Sequence, residues 1–268
     1  MNSQNKPEQH TRSYNIEAFG RLLDTLDRLR VECPWDRKQT FQSLRTNTIE
    51  EVYELCDAIF AEDMPNIKKE LGDVLLHVIF YAKIASEQGA FDIGDVADAL
   101  NAKLIFRHPH VFGSVEADDA HQVEVNWEQI KLKEKGGNRF VLAGVPASLP
   151  ALIKAYRIQE KAANVGFDWP DAEGPWQKLR EEISEFEQEA SRGDKEAMER
   201  EFGDVLFSLV NTARRLGINP ENALQYTNTK FQRRFHYIEE ELNRQGKKIG
   251  ESSLEEMDAL WNEAKSKE

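Results

Sequence analysis

The sequence has little of what disulfide frameworks and membrane spans require. Only two of its 268 residues are cysteines, Cys33 and Cys56. So few cysteines exclude a disulfide scaffold and favour a reducing compartment. The most apolar run, residues 74–85, is interrupted by a histidine and a lysine and is too short to cross a bilayer. The polar N-terminus lacks the hydrophobic region of a signal peptide, so we expect no membrane partner and a cytoplasmic protein.

Glycine, proline and strand-like patterns are also scarce. The chain has 15 Gly and 9 Pro, whereas 31% of its residues are charged and 40% are hydrophobic, a composition typical of helix-rich soluble proteins. No stretch alternates apolar and polar residues as a half-buried strand would, so we predict an all-α fold. The net charge of −13 disfavours a nucleic-acid polymer as partner, because proteins that bind one present a basic surface. It does not exclude a nucleotide held through a metal ion.

A set of acidic residues occurs twice, at a constant distance along the chain. Each acid of the first copy has a counterpart 131 residues downstream, and each copy runs on into an apolar stretch. The first copy comprises Glu51, Glu54, Glu70 and Asp73, and the second comprises Glu182, Glu185, Glu201 and Asp204. This internal repeat predicts two domains in tandem, residues 1–138 and 139–268.

Helical spacing turns each copy into a set of oxygen ligands. Residues three or four apart share a helix face, so Glu182 and Glu185 project together, as do Glu201 and Asp204 on the next helix. Like charges on one face destabilise a helix unless a cation compensates them. Carboxylates without Cys or His suit Mg²⁺ or Mn²⁺ better than Zn²⁺. A solvated acidic face is the alternative, but acids that begin an apolar helix segment need a partner.

Helix start and stop signals place these acids on consecutive helices. Thr48 with Glu51 three residues later fits a capping box, which predicts that the first acidic helix begins at Thr48. Pro65 suits the start of the helix that follows. In the second copy, Pro175 suits the first turn of the acidic helix and Gly193 its end.

Basic and aromatic residues near the end of the chain point to a phosphate-rich ligand. Lys230 and Arg234 are four residues apart and share a helix face, as do Trp261 and Lys265. Arginine binds phosphate oxygens in a fork, lysine acts as a point charge, and an exposed tryptophan can stack on a base. Ordinary surface chemistry remains the alternative for each pair. A carboxylate-held metal in the same repeat favours a nucleotide.

The paired acidic motifs resemble the signature of the MazG family of nucleoside triphosphate pyrophosphohydrolases. Cys33-Pro34-Trp35-Asp36, the segment Arg-His-Pro-His-Val-Phe at 107–112 and the tandem layout match the two-domain bacterial members. The resemblance implies two helical MazG-like domains, each a helical bundle completed by dimerisation. It also implies a Mg²⁺-dependent, homodimeric enzyme that cleaves nucleoside triphosphates to monophosphate and pyrophosphate with broad base tolerance.

The resemblance also implies roles for individual residues, mainly in the C-terminal copy. The Mg²⁺ ligands would be Glu182, Glu185, Glu201 and Asp204, with the N-terminal acids as a second set. The nucleotide would be contacted by Lys178, Lys230, Arg234, Trp261 and Lys265, and Arg200 and Lys195 are candidates for one further basic residue. We select Glu181, beside the ligands, as the general base that activates water for attack on the α–β bridge.

Two other functions stay open at this point. A helical regulatory module could use its acidic faces to bind a basic partner, with the metal serving structure only. A pyrophosphohydrolase restricted to dUTP or dCTP would use the same acids.

Overall fold

A computed structural model of the chain describes residues 10–113, 130 and 140–268. Over these residues the chain forms helices and turns with no β-strand, which confirms the all-α prediction. The chain divides into two compact units, Met1–Ser114 and Val115–Glu268, here called the N-terminal and C-terminal units. The predicted domain boundary at 138/139 lies outside the described residues and stays a prediction. None of the described helices is long and apolar enough to cross a membrane.

The N-terminal unit is built around a helical hairpin. Its helices are α1 (Arg12–Glu32), α2 (Phe41–Phe60), α3 (Met64–Glu87), α4 (Ile93–Arg107) and the single turn α5 (Pro109–Phe112). Helices α2 and α3 pack along each other, and α1 contacts α3. Pro65 lies in the first turn of α3, as predicted. Leu26, Leu44, Ile79, Phe80 and Ile84 form the buried core of the unit.

Helix α2 begins earlier than the sequence pattern predicted. Thr40 caps it, because the Thr40 hydroxyl accepts a hydrogen bond from the Ser43 amide and the Ser43 hydroxyl accepts one from the Thr40 amide. Thr48 lies inside the helix, so the predicted capping box at Thr48 is wrong. The earlier start brings Phe41 and Leu44 onto the core, and burial of these two side chains favours it over the later one.

The C-terminal unit contains a hairpin like that of the N-terminal unit and, after it, a further pair of packed helices. Its helices are α6 (Ala151–Ala163), α7 (Glu173–Arg192), α8 (Lys195–Arg215), α9 (Pro220–Arg244) and α10 (Leu254–Ser266). Helix α7 packs along α8, and α9 packs along α10. Gly193 ends α7 at a φ of 74°, a left-handed conformation that glycine adopts without strain. The turn is tight because Asp194 then caps α8. The two acidic segments therefore run alongside each other.

Candidate active site

The C-terminal hairpin brings three of the predicted metal ligands together. Glu182 on α7 and Glu201 and Asp204 on α8 each offer a carboxylate oxygen, and these oxygens lie within 4.8 Å of one another. Glu182 is buried, at 6% exposed. Oxygen ligands bind Mg²⁺ or Ca²⁺ at about 2.0 to 2.6 Å, so two ligands on opposite sides of one ion are separated by about 4 to 5 Å. The donor set and its spacing therefore fit a hard divalent cation.

Glu185, the fourth predicted ligand, lies outside this group of three. It is exposed and sits one turn beyond Glu182 on α7. Its pKa is raised, first by desolvation and then by the negative charge of Glu182, while Lys178 opposes the shift. Glu185 is thus within electrostatic reach of Glu182 but is not one of the three grouped acids.

Lys178 supplies the positive charge of this set. Its ammonium lies 2.7 Å from an oxygen of Glu181 and 2.7 Å from an oxygen of Glu182. These hydrogen bonds, that to Glu181 first, raise the pKa of Lys178 far above its usual value. Because Lys178 lies one turn before Glu182, the sequence had predicted that its ammonium would lie near the acids. The contact of Lys178 with Glu181 also places Glu181, the predicted general base, at the edge of the site.

The N-terminal hairpin holds a matching acidic set. Glu51 on α2 and Glu70 and Asp73 on α3 have carboxylate oxygens within 4.8 Å of one another, and each is the repeat counterpart of a C-terminal acid. Glu70 is 2% exposed, and its Oε2 has no hydrogen-bond partner among the described residues. Burial first, and then the charge of Asp73, raises the pKa of Glu51. A buried carboxylate with one unused oxygen destabilises the fold unless a cation or donor meets it.

The two sets obtain their lysine from different helices. In the N-terminal unit, Lys69 on α3 lies 2.8 Å from Glu70, 3.6 Å from Asp73 and 3.9 Å from Glu54. The repeat counterpart of Lys69 is Arg200, which instead forms an exposed ion pair with Glu196 one turn back on α8, at 2.7 Å. The side chain of Arg200, a predicted substrate-binding residue, therefore lies along its own helix.

The predicted basic and aromatic residues lie on α9 and α10. The guanidinium carbon of Arg234 lies 5.3 Å from the centroid of the Trp261 ring, and the Phe231 ring packs on the same indole at 5.1 Å between centroids. Lys230 and Lys265 are exposed on these two helices. The pairing of Arg234 with Trp261 joins two residues that the sequence pattern had treated separately.

A cleft of about 440 Å³ adjoins this pair. It is lined by Arg233, Arg234, Tyr237, Ala264, Lys267 and Glu268. Glu268 binds both arginines, and the Tyr237 hydroxyl donates a hydrogen bond to Glu263 at 2.7 Å. The sequence reasoning missed Arg233 and Glu268. Two adjacent arginines indicate an anion-binding position, but nothing in the sequence indicated which carboxylate would pair with them.

Comparisons with known proteins agree with the repeat. A family model described as the MazG nucleotide pyrophosphohydrolase domain matches residues 39–112 and 173–238, so each unit contains one match. The nucleoside triphosphate pyrophosphohydrolase of Escherichia coli strain K12 is 43% identical over 260 residues, covering 94% of this chain and 99% of that protein. The nucleoside triphosphate pyrophosphohydrolase/pyrophosphatase MazG of Thermotoga maritima is 45% identical over 250 residues, covering 92% of this chain and 95% of that protein.

The likeness extends to a protein of larger size. The uncharacterized protein YabN of Bacillus subtilis is 50% identical over 238 residues, which span 88% of this chain but 49% of that protein. Both acidic hairpins lie within the segments that the family model matches. This chain belongs to the MazG nucleotide pyrophosphohydrolase family.

Proposed function

We propose that the protein hydrolyses nucleoside triphosphates to monophosphates and pyrophosphate, by attack of water at the α–β phosphate bridge. The observation that carries the proposal is the convergence of Glu182, Glu201 and Asp204 from two helices, with oxygens within 4.8 Å. We propose that these residues, with Glu185 turned in from α7, hold Mg²⁺, with Mn²⁺ as a substitute. Such an ion, when bound, neutralises the triphosphate and lowers the pKa of bound water.

The residues around the acids have separate roles in this scheme. Lys178 binds two carboxylates, and its ammonium becomes available to phosphate oxygens once a cation takes over those carboxylates. Glu181 is exposed and already accepts a hydrogen bond from Lys178. We propose that it accepts the proton of the attacking water.

The nucleotide-binding part of the proposal is on α9 and α10. Arg234, Lys230 and Lys265 would bind phosphate oxygens, and Trp261 would stack on the base. Stacking uses the π-face that every base has and is tolerant of sequence. Stacking of the base on Trp261 would therefore favour broad base tolerance over restriction to dUTP or dCTP.

We propose that the chain works as a homodimer, with a second copy covering the outer face of each hairpin. Four apolar side chains on each hairpin are exposed, between 37% and 53%, and they occupy the same repeat positions. They are Val52, Leu71, Leu75 and Val78 in the N-terminal unit, and Ile183, Phe202, Leu206 and Leu209 in the C-terminal unit. Exposed apolar patches of this kind mark association surfaces. Their recurrence in both repeats supports a symmetric partner.

The remaining parts of the proposal concern the N-terminal unit and the location. Glu51, Glu70 and Asp73, with Glu54 nearby, would form a second cation site, which the unpartnered Oε2 of Glu70 supports.

We propose one MazG-like domain on each side of a boundary near 138/139. Cys33 and Cys56 are free, which supports a reducing compartment such as the cytoplasm.

The proposed function is tested by measuring the release of pyrophosphate by variants with substitutions in the acidic set. Glu182→Gln and Glu201→Gln keep the side-chain shape and remove a ligand charge, so we expect a loss of pyrophosphate release of about 100-fold or more. Glu196→Gln, which removes only the exposed partner of Arg200 on the same helix, is the matched control and keeps wild-type turnover. Release of orthophosphate by the wild type, or near-normal turnover in both site variants, would contradict the proposal.

A further inference from the structure

The cleft between α9 and α10 contains an anion site that one of the chain's own carboxylates occupies. Arg234 donates from Nε and Nη2 to the two oxygens of Glu268, at 3.1 and 2.6 Å. Arg233 binds one of the same oxygens through Nη2. The hydrogen bonds from Arg234 and then Arg233 lower the pKa of Glu268 to about 2, so the carboxylate is charged at neutral pH.

The geometry of this contact is one that a phosphate can share. Two parallel N–H donors from one guanidinium match the oxygens of a carboxylate and of a phosphate equally. The Arg234 fork is held in place before any ligand arrives, because its side chain is 13% exposed and its guanidinium stacks on Trp261. The adjoining cleft of about 440 Å³ leaves room for a phosphate group.

We propose that Glu268 is an internal competitor for the phosphate of the nucleotide at the Arg233–Arg234 fork. Its carboxylate compensates two adjacent guanidiniums when no substrate is present, and the phosphate displaces it on binding. Two anions repel each other and cannot use the same donors, so each weakens the binding of the other. The inference rests on the proposed function, and it adds Arg233 to the phosphate-binding residues and Glu268 to those that set substrate affinity.

Two other roles for Glu268 predict a different change in KM when its carboxylate is removed. If the carboxylate served to orient Arg234 for the substrate, its removal would loosen the fork and raise KM. If the ion pair were an ordinary surface contact, KM would stay as it is. The sign of the change in KM therefore separates competition from both other roles.

The experiment compares Glu268→Gln with Glu263→Gln in the full-length chain. Glu263 is the matched control because it lies five residues before Glu268, in the last turns of α10, and pairs with Lys267 and Tyr237, not with the arginines. Exposed ion pairs are weak, and the loss of one changes a binding constant by up to about fivefold. We therefore expect Glu268→Gln to lower KM for the nucleoside triphosphate about two- to fivefold, with little change in the control. An equal fall in both variants would indicate a general charge effect and overturn the proposal.

A second readout keeps the inference separate from catalysis. Pyrophosphate, used as a probe, is titrated calorimetrically into the wild type and both variants without added metal. Tighter binding by Glu268→Gln alone supports competition at the fork. Unchanged or weaker binding by that variant overturns it. If the wild type releases no pyrophosphate from nucleoside triphosphates, the proposed function fails, while this titration still reports on the fork.

Discussion

The ammonium group of Lys178 lies 2.7 Å from a carboxylate oxygen of the buried Glu182. Lys69 makes the corresponding contact with the buried Glu70 in the N-terminal unit, at 2.8 Å. Each acidic set thus has a lysine as counter-ion, although the lysines come from different helices of the two hairpins. A cation that binds the carboxylates has to compete with these ammonium groups.

Replacement of either lysine should separate the stability of the protein from its response to metal. In chelator, Lys178→Met and Lys69→Met should each lower the free energy of unfolding, because a buried carboxylate loses its partner. Saturating Mg²⁺ should raise the melting temperature of each variant by more than it raises that of the wild type. Thermal melts with and without Mg²⁺ measure both effects. Lys247→Met, which breaks an exposed pair with Glu256, is the control and should show no added response to Mg²⁺.

Removal of the indole of Trp261 should weaken binding of all nucleotides alike. Base–aromatic stacking contributes about 1 to 3 kcal/mol, so Trp261→Ala should raise KM about 5- to 150-fold. The ratios of KM among ATP, GTP, CTP and UTP should stay close to those of the wild type, and Trp261→Phe should recover part of the loss. Steady-state kinetics with the four nucleotides measure this. A large effect confined to one base would favour a base-specific enzyme.

The ion pair between Asp168 and two arginines should make the stability of the C-terminal unit depend on pH. Burial favours the neutral acid, but hydrogen bonds and charge from Arg214, at 2.6 Å, and Arg215, at 3.3 Å, outweigh it and hold the pKa of Asp168 below its usual value. The folded state thus binds this proton more weakly than the unfolded state. The stabilisation is complete above about pH 4 and is lost as the pH falls through the folded pKa.

Asp168→Asn measures that contribution. Because the Asp168 side chain is 19% exposed, we expect the variant to be less stable by about 2 kcal/mol at pH 7. The difference from the wild type should shrink below pH 4. Denaturant unfolding at several pH values tests this. Asp258→Asn, on the surface of α10, should change stability little at any pH, and a constant deficit of Asp168→Asn across the range would contradict the assigned cause.

A charge on the outer face of a hairpin should dissociate the proposed homodimer. Leu206 is 44% exposed, and we expect Leu206→Lys to give a monomer in sedimentation, because burial of an unpaired ammonium in an apolar contact is unfavourable. The same substitution at Leu254, which is 74% exposed at the start of α10, is the control. A wild-type protein that sediments as a monomer would refute the proposal directly.

Several features of this protein follow from the sequence because they depend on local spacing. Acids three residues apart share a helix face wherever the helix goes, so Glu201 and Asp204 had to project together. Glycine after the last helical turn marks the C-terminus of a helix through local backbone chemistry, and the structure has Gly193 in that role. The pattern at Thr48 misled because Thr40 offered an equally good local cap.

Only the tertiary structure decided which groups meet across helices. Packing of α7 on α8 brought Glu182 to Glu201 while leaving Glu185 outside the group. By contrast, Lys178 with Glu182 and Arg200 with Glu196 are pairs four residues apart on one helix, so these contacts follow from local spacing. The contact of Glu268 with Arg234 joins residues that are distant in sequence. The sequence by itself determined the helices, their acidic faces and the repeat, since these arise from interactions within a few residues. Contacts between charges on different helices depend on helix packing and side-chain direction, which no local pattern encodes.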